Sequence, residues 1–183
     1  MKEKNPAYIH KELIQACQEG NRKAQNKLYQ LYSRAMFHIC LRMLNDRAEA
    51  EDQLQHAFID IFTKLHTFRF ESSIGAWMKR IVIHKCINVL KKKSIQFDVL
   101  REQHLTFAEV EPNEPALPDV LLVREVKDAI AALPDGYRVV LSLYLLEGLD
   151  HEEISDVLGI SVSTSKSQYH RARRKLKELL CTQ

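Results

Sequence analysis

The sequence predicts an all-α fold in which two small helical domains are joined by an acidic, flexible linker. Over most of the 183 residues, apolar side chains recur at spacings of three and four, the period of an amphipathic helix. The five glycines fall where this period breaks, and hairpin signals are missing apart from a formal match at Asp135-Gly136. A proline-containing acidic segment interrupts the periodicity, so two domains are expected rather than one.

Four helices are expected in the first half of the chain. They are predicted at His10–Gln18, Asn21–Leu44, Ala48–Leu65 and Ile74 to about Lys93. The apolar stripe of the second helix consists of Leu28, Leu31, Tyr32, Ala35, Ile39 and Met43. That of the third consists of Leu54, Ala57, Phe58, Ile61, Phe62 and Leu65. Asn45-Asp46 is predicted to end one helix and start the next.

The fourth helix has two faces of different chemistry. At about 100° per residue, the buried stripe comprises Met78, Val82, Ile83, Cys86, Ile87, Val89 and Leu90. The opposite face comprises Trp77, Arg80, Ile81, His84, Lys85, Asn88, Lys91 and Lys92. One interpretation is that Trp77 caps the core of a neighbouring helix beside a solvated basic face. The other is a surface for single-stranded nucleic acid, where aromatic rings stack on unpaired bases and cations follow phosphates.

The proline-containing segment is interpreted as the linker. It extends from Gln96 to Leu117 and lacks a sustained period. The predicted boundaries are residues 1–93 for the first domain, 94–120 for the linker and 121–183 for the second domain. Helices are predicted to resume from Pro118 through Leu133, and then at Pro134–Leu146, His151–Leu158 and Val162–Leu180.

The last two predicted helices form a helix-turn-helix, a motif that places its second helix in the major groove of DNA. Asp150 and Glu153 make a capping-box pattern, Gly159 allows a left-handed turn, and Ser161 is the expected N-cap of the second helix. The residues expected to face inward are Ser165, Tyr169, Ala172, Leu176 and Leu179. Those expected to face outward are Lys166, Ser167, Gln168, His170, Arg171 and Arg174.

The outward face of that helix suits the reading of base edges. Gln168 is a candidate for pairing with adenine, and Arg171 or Lys166 with guanine. Phosphate contacts, which position a protein without specifying sequence, are expected from Arg173, Lys175 and Lys177. The alternative is an ordinary basic helix on a bundle surface, but the order of capped helix, glycine turn and basic helix favours DNA binding.

Charge is unevenly distributed although the net charge is only +3. Residues 1–93 carry 17 Lys and Arg against 9 Asp and Glu, a net +8. Residues 94–124 carry 2 against 6, a net −4, and residues 161–183 carry 6 against 1, a net +5. Two basic patches flanking an acidic connector indicate two contacts with a polyanion.

Several classes of protein are disfavoured. There is no signal peptide and no apolar stretch of the roughly 18 residues that a membrane span requires, so a cytoplasmic protein without membrane insertion is expected. The cysteines, expected to be buried or free thiols, are Cys17, Cys40, Cys86 and Cys181. No catalytic constellation, metal-ligand spacing or cofactor motif is found, so the chain is not expected to be an enzyme.

Two blocks of motifs occur in the same order as the two domains. The first contains Ala50-Glu51-Asp52, Gln55, Phe58, Phe68-Arg69, Glu71-Ser72-Ser73, Ala76-Trp77 and Arg80-Ile81. The second contains Leu133-Pro134, Tyr137-Arg138, Glu147-Gly148, Glu153-Ile154, Leu158-Gly159-Ile160, Lys166-Ser167 and His170-Arg171-Ala172-Arg173. Together they resemble the extracytoplasmic-function sigma factors of bacterial RNA polymerase.

The resemblance implies an alternative sigma factor in which the first domain is region 2 and the second is region 4. It implies contacts with minus-ten DNA for Phe68, Arg69, Phe70, Ser72, Ser73, Trp77, Arg80, Ile81, His84, Lys85 and Asn88. It implies contacts with minus-thirty-five DNA for Lys166, Ser167, Gln168, His170, Arg171, Arg173 and Arg174. Contacts with core RNA polymerase are implied for Asp52, Gln55 and His56. The implied partners are the clamp helices of the largest polymerase subunit, the flap of the second largest, promoter DNA and an anti-sigma factor.

Three positions depart from the family pattern. His56 stands where glutamate is usual, His84 where asparagine is common, and Ser163 where glycine is frequent. Two other functions stay open: a helix-turn-helix regulator of duplex DNA that does not replace a sigma factor, and a helical adaptor that binds only proteins. The aromatic segment Phe68–Trp77 disfavours the regulator, and the basic recognition segment disfavours the adaptor.

Overall fold

The computed structural model describes residues 9–93 and 123–181, and within these ranges it contains eight α-helices and no strand. The prediction of an all-α fold is confirmed. Contacts divide the chain into two compact units, Met1–Ser94 and Ile95–Gln183. The linker expected over residues 94–120 and the helix start expected at Pro118 lie outside the described residues.

Unit 1 (Met1–Ser94) is built from four helices. They are α1 (Lys11–Gln18), α2 (Arg22–Leu44), α3 (Arg47–Lys64) and α4 (Ile74–Lys92). A 3-10 turn, Leu65–Thr67, continues directly from α3. Helices α2, α3 and α4 pack against one another, while α1 packs on α2 and on the 3-10 turn.

Capping chemistry sets the helix starts of unit 1. The Asn21 side chain accepts two hydrogen bonds, of 3.0 and 3.1 Å, from N–H groups in the first turn of α2. Asn45 ends α2 in the left-handed region with a φ of 55°. Asp46 then accepts a 2.8 Å hydrogen bond from the N–H of Glu49 at the start of α3. The predicted stop and restart at Asn45-Asp46 is therefore confirmed.

The core of unit 1 lies where α2, α3 and α4 meet. The predicted stripes of α3 and α4 are buried, apart from one half-buried residue on each helix. On α2 the prediction is wrong at Leu31 and Ala35, which are exposed, whereas Met36 and Cys40 are buried. Because α2 carries apolar side chains in overlapping stripes, its neighbours decide which stripe becomes the core.

Unit 2 (Ile95–Gln183) contains the other four helices. They are α5 (Val123–Ala131), α6 (Asp135–Leu145), α7 (His151–Leu158) and α8 (Val162–Cys181). Helix α8 packs against α5, α6 and α7. On α6, the buried Arg138 pairs with Asp135 and donates a 3.0 Å hydrogen bond to the carbonyl of Leu133. This buried cation ties the start of α6 to the end of the preceding segment.

Two glycines differ from the prediction that each marks a break in the helical period. Gly75 and Gly136 both lie in the first turn of a helix, α4 and α6 respectively. A Cβ at Gly75 would lie 3.3 Å from the ring of Tyr32, so the close approach of α2 explains the glycine.

All four cysteines are free thiols, three of them buried and Cys181 exposed, as the sequence predicts. No helix in the described ranges has both the length and the apolar character needed to cross a membrane.

Candidate nucleic-acid interfaces

Three aromatic side chains form a cluster at the start of α4, which we call the aromatic platform (Phe68, Phe70 and Trp77). The Phe68 ring centroid lies 5.0 Å from that of Phe70 and 5.5 Å from that of Trp77. Phe68 is only 5% exposed, whereas Phe70 and Trp77 are half-buried. Phe68 therefore supports the other two rings, and its direct contact with DNA stays a prediction.

The loop that carries the platform is held at both ends. Gln18 of α1 donates hydrogen bonds to the carbonyls of Leu65 and Phe68, at 2.9 and 3.2 Å. At the other end, the Ser73 hydroxyl accepts a 3.2 Å hydrogen bond from the N–H of Ala76 and caps α4. The expected N-cap is thus confirmed, and a loop fixed in this way presents its rings in one arrangement.

Phe70 adopts a strained backbone conformation within this loop. Its φ of 60° lies in the left-handed region, which bulky side chains avoid. Such a conformation costs of order 1–3 kcal/mol and persists where the surroundings determine it. The ammonium of Lys11 lies 6.0 Å from the centroid of the Phe70 ring and is one of these surroundings.

The outward face of α4 continues from the platform. Arg80, His84 and Asn88 are exposed, and Ile81 is half-buried. The exposed Arg69 and Ser72 lie in the loop beside this face. Trp77 packs on Phe68 and keeps part of its ring accessible, so both interpretations of the face stay open.

Lys85 on the same face is already engaged. Its Nζ lies 2.9 Å from a carboxylate oxygen of Asp60 on α3. The hydrogen bond from Lys85 is the main cause that lowers the pKa of Asp60, with further lowering by the charges of Lys85 and Lys64. A phosphate contact by Lys85 would therefore compete with this ion pair.

A separate exposed stripe runs along α3. It comprises Asp52, Gln55, His56 and Ile59, which are neighbours at spacings of three and four. Ile59 is 62% exposed, and sequence reasoning did not select it. The signal for it was available, because Ile59 is out of phase with the buried stripe of Leu54, Ala57, Phe58 and Ile61.

In unit 2, α7 and α8 form the expected helix-turn-helix. Asp150 accepts a 2.8 Å hydrogen bond from the N–H of Glu153, whose carboxylate accepts a 3.1 Å bond from the N–H of Asp150. Gly159 has a φ of 72°, and Ser161 caps α8 through a 3.0 Å bond from the N–H of Thr164. The predicted capping box, glycine turn and N-cap are all confirmed.

The outward face of α8 agrees with the prediction except at one residue. Lys166, His170, Arg173 and Arg174 are exposed, and Ser167 and Arg171 are half-buried. Gln168 is buried, and its Oε1 would lie 3.3 Å from a Cβ placed at Gly136 of α6. The expectation that Gln168 faces outward is wrong, because its amide lies against α6; its pairing with adenine stays a prediction.

His151 links three helices of unit 2, and sequence reasoning missed it. Its Nδ1 is hydrogen-bonded to the hydroxyl of the buried Ser165 at 2.9 Å, and its ring stacks on Tyr144 with centroids 4.5 Å apart. Burial lowers the pKa of His151 most, followed by the charges of Lys166 and His170. The neutral imidazole of His151, on α7, thus contacts α6 through Tyr144 and the start of α8 through Ser165.

Among the described residues, no three or more His, Cys, Asp or Glu side chains are grouped so as to hold a metal ion. The two surfaces, aromatic and polar in unit 1 and basic in unit 2, are suited to binding.

Comparison with known proteins gives matches in both units. The family described as Sigma-70 region 2 matches residues 28–95, and that described as Sigma-70, region 4 matches residues 124–176. RNA polymerase sigma factor SigZ of Bacillus subtilis is 32% identical over 137 residues, covering 75% of this chain and 76% of that protein. ECF RNA polymerase sigma factor SigW of the same bacterium is 28% identical over 179 residues, covering 93% and 96%.

Solved structures agree on the fold. The sigma factor RpoE of Bartonella quintana, in its complex with the anti-sigma factor NepR, gives a TM-score of 0.56 at 24% identity. The match covers 85% of this chain and 95% of that chain.

Proposed function

Because the chain belongs to the sigma-70 family, as an extracytoplasmic-function sigma factor, we propose which of its surfaces contact promoter DNA and which contact the polymerase. The chain binds core RNA polymerase and directs promoter recognition, promoter melting and initiation. The main observation that supports this assignment is the aromatic platform beside the polar face of α4. A regulator that binds only duplex DNA has no use for such a surface.

Unit 1 captures the melted minus-ten element in this proposal. An unpaired base stacks on the accessible parts of Phe70 and Trp77, while Arg80 and Arg69 attract the phosphates. Stacking contributes about 1–3 kcal/mol per base, which is comparable to the cost of removing a base from the duplex. The platform thus shifts the equilibrium toward open DNA without any chemical step, and the polymerase performs the catalysis.

Unit 2 binds the minus-thirty-five element as duplex. Lys166, His170 and Arg171 lie in the first half of α8, the half that meets base edges in a helix-turn-helix. Arg173 and Arg174 hold phosphates and set the register of the helix in the groove. Support comes from the exposed or half-buried positions of all five side chains.

The stripe on α3 is the proposed contact with polymerase. Asp52, Gln55 and His56 are exposed together, and Ile59 adds an apolar centre. We assign this stripe to the clamp helices of the largest subunit and unit 2 to the flap of the second largest. An anti-sigma factor is a further proposed partner, as it is for the similar sigma factor RpoE.

Run-off transcription tests the proposal. Purified core RNA polymerase from the source bacterium is assayed with and without this protein on genomic promoter fragments. Discrete transcripts that depend on the protein are expected. If polymerase neither binds the protein nor changes its start sites while the protein still shifts duplex DNA, the independent helix-turn-helix regulator replaces the sigma factor.

Trp77→Ala tests the role of the platform. We expect open-complex formation to fall about 5- to 150-fold, the equivalent of about 1–3 kcal/mol of lost stacking, while upstream duplex contacts persist. Permanganate reactivity of promoter thymines measures the melting, and footprinting of the upstream element is the control. Normal melting by the variant would contradict the assignment of Trp77.

A further inference from the structure

Gln18, the last residue of α1, holds the loop that carries the aromatic platform. Its Nε2 donates hydrogen bonds to the carbonyl oxygens of Leu65, at 2.9 Å, and of Phe68, at 3.2 Å. A primary amide has two N–H donors, and both are used on residues 47 and 50 positions away in sequence. One side chain of α1 therefore fixes both ends of the turn from which the platform begins.

These two carbonyls belong to the residues at the two ends of the 3-10 turn, Leu65 and Phe68. The Leu65 carbonyl also accepts a 3.1 Å hydrogen bond from the N–H of Phe68, so Gln18 adds a second hydrogen bond to a turn that is already closed. Two residues after Phe68, Phe70 adopts its left-handed backbone conformation, with a φ of 60°. A strained conformation of this kind persists only where neighbouring contacts determine it. The hydrogen bonds from Gln18 are such contacts, placed immediately before the strained residue.

We propose that Gln18 is a positioning residue for promoter melting, which holds the aromatic platform in the conformation that receives an unpaired base. This inference rests on the proposed function. Gln18 does not touch DNA; it keeps Phe68, Phe70 and Trp77 assembled before DNA arrives. Because the loop is already ordered, its conformational entropy does not oppose capture of the base. Loss of both hydrogen bonds is expected to lower the opening equilibrium about 5- to 30-fold.

The test compares Gln18→Glu with Gln15→Glu. Glutamate matches glutamine in size, but its carboxylate donates no hydrogen bond and would face two carbonyl oxygens. Gln15 is exposed on the same helix, so Gln15→Glu adds the same charge away from the loop. Each full-length variant is assembled with core polymerase on a promoter fragment. Permanganate reactivity then measures melting, and competition with wild-type protein measures affinity for the core enzyme.

The fluorescence of Trp77 adds a direct readout of the platform. Trp77 is the only tryptophan of the chain, and its ring lies 5.5 Å from that of Phe68. We expect Gln18→Glu to change this emission and to reduce melting while core affinity and upstream binding are retained. Gln15→Glu should behave as wild type. Normal melting by Gln18→Glu, or an equal loss of core affinity and melting, would overturn the inference.

Two further variants keep the test decisive. If circular dichroism shows that Gln18→Glu does not fold, Gln18→Asn replaces it, since its amide is one methylene shorter and does not reach both carbonyls; the same outcomes then apply. Trp77→Ala distinguishes failure of the proposed role of unit 1 from failure of the proposed role of Gln18. Normal melting by Trp77→Ala removes the platform from promoter opening, and the proposed role of unit 1 fails. Defective melting by Trp77→Ala with normal melting by Gln18→Glu overturns only the role of Gln18.

Discussion

At the scale of single residues, Arg171 tests how α8 reads DNA. It is half-buried in the first half of the helix, the half proposed to meet base edges, and it is the candidate for contact with guanine. We predict that Arg171→Ala weakens binding to the upstream element by about 1–3 kcal/mol. Fluorescence anisotropy on cognate and scrambled duplexes measures the effect. Lys177→Ala, an exposed phosphate candidate, should weaken both duplexes equally; an equal loss for Arg171→Ala would make it a phosphate contact as well.

His151 makes unit 2 sensitive to pH. Its pKa in the folded chain is lowered by burial first and then by Lys166 and His170, against an opposing effect of Asp150. The neutral ring is therefore favoured in the folded state. The resulting stabilisation is present above the unfolded pKa, about 6.5, and is lost as pH falls through the lower folded value.

Hydrogen exchange of α7 and α8 measures this dependence in the intact chain. We predict faster opening of these helices at pH 5.5 than at pH 7.5, after correction for the intrinsic exchange rate. His151→Gln, which does not titrate, should reduce the difference. An unchanged difference in the variant would assign the pH dependence to other groups.

The same residues show where sequence reasoning stops. Trp77, Arg80 and His84 were placed correctly on the outward side of α4, because their angular positions follow from the helical period alone. The burial of Phe68 and Gln168 was not predictable in this way. Gln168 is covered because Gly136, in the first turn of α6, lies against it, and Phe68 because two later rings pack on it. Both depend on contacts distant in sequence.

At the scale of elements, helix ends were more predictable than helix faces. The ends rest on local chemistry: Asp46, Ser73 and Ser161 each accept a hydrogen bond from an N–H three residues later. The buried face of α2 depends instead on the arrangement of α3 and α4, and its predicted stripe was partly wrong. The exposure of Ile59 on α3, by contrast, follows from the helical period alone, because Ile59 is out of phase with the buried stripe of that helix.

The capping box of α7 is expected to contribute to the stability of unit 2. Asp150→Ala removes hydrogen bonds of 2.9 and 2.8 Å to the N–H groups of Glu152 and Glu153. We predict a loss of about 0.5–2 kcal/mol in the stability of unit 2. Hydrogen exchange of unit 2 measures it. Asp156→Ala, an exposed carboxylate near the other end of α7, is the control and should change stability little. Equal effects of the two variants would contradict the capping account.

At the scale of the whole molecule, the chain joins two compact units. In the proposed function, unit 1 uses the aromatic platform for melted DNA and unit 2 uses α8 for duplex DNA. The charge pattern predicted two contacts with a polyanion, because charge can be counted along a sequence. The distance between the two promoter elements could not be predicted from the charge pattern, because it is a property of the polymerase complex.

Covalent connection of the units should matter more than any one contact. Once either unit is bound, the other reaches its element as an intramolecular event, and linkage of this kind raises avidity by about 100- to 10,000-fold. We therefore predict that separate fragments, residues 1–94 and 121–183, support run-off transcription at least about 100-fold less well than the intact chain. Mixtures at equal micromolar concentrations provide the measurement.

Two controls show whether the fragments remain competent. The fragment of residues 1–94 should still bind core polymerase through Asp52, Gln55 and His56, and the fragment of residues 121–183 should still bind upstream duplex through α8. If both fragments retain these activities, a large loss of transcription shows that the lost binding free energy came from the covalent link between the two units. Transcription by the mixture at the level of the intact chain would instead mean that the polymerase holds each unit independently. In that case the acidic connector would contribute nothing through tethering, and promoter selection would be the sum of two separate binding events.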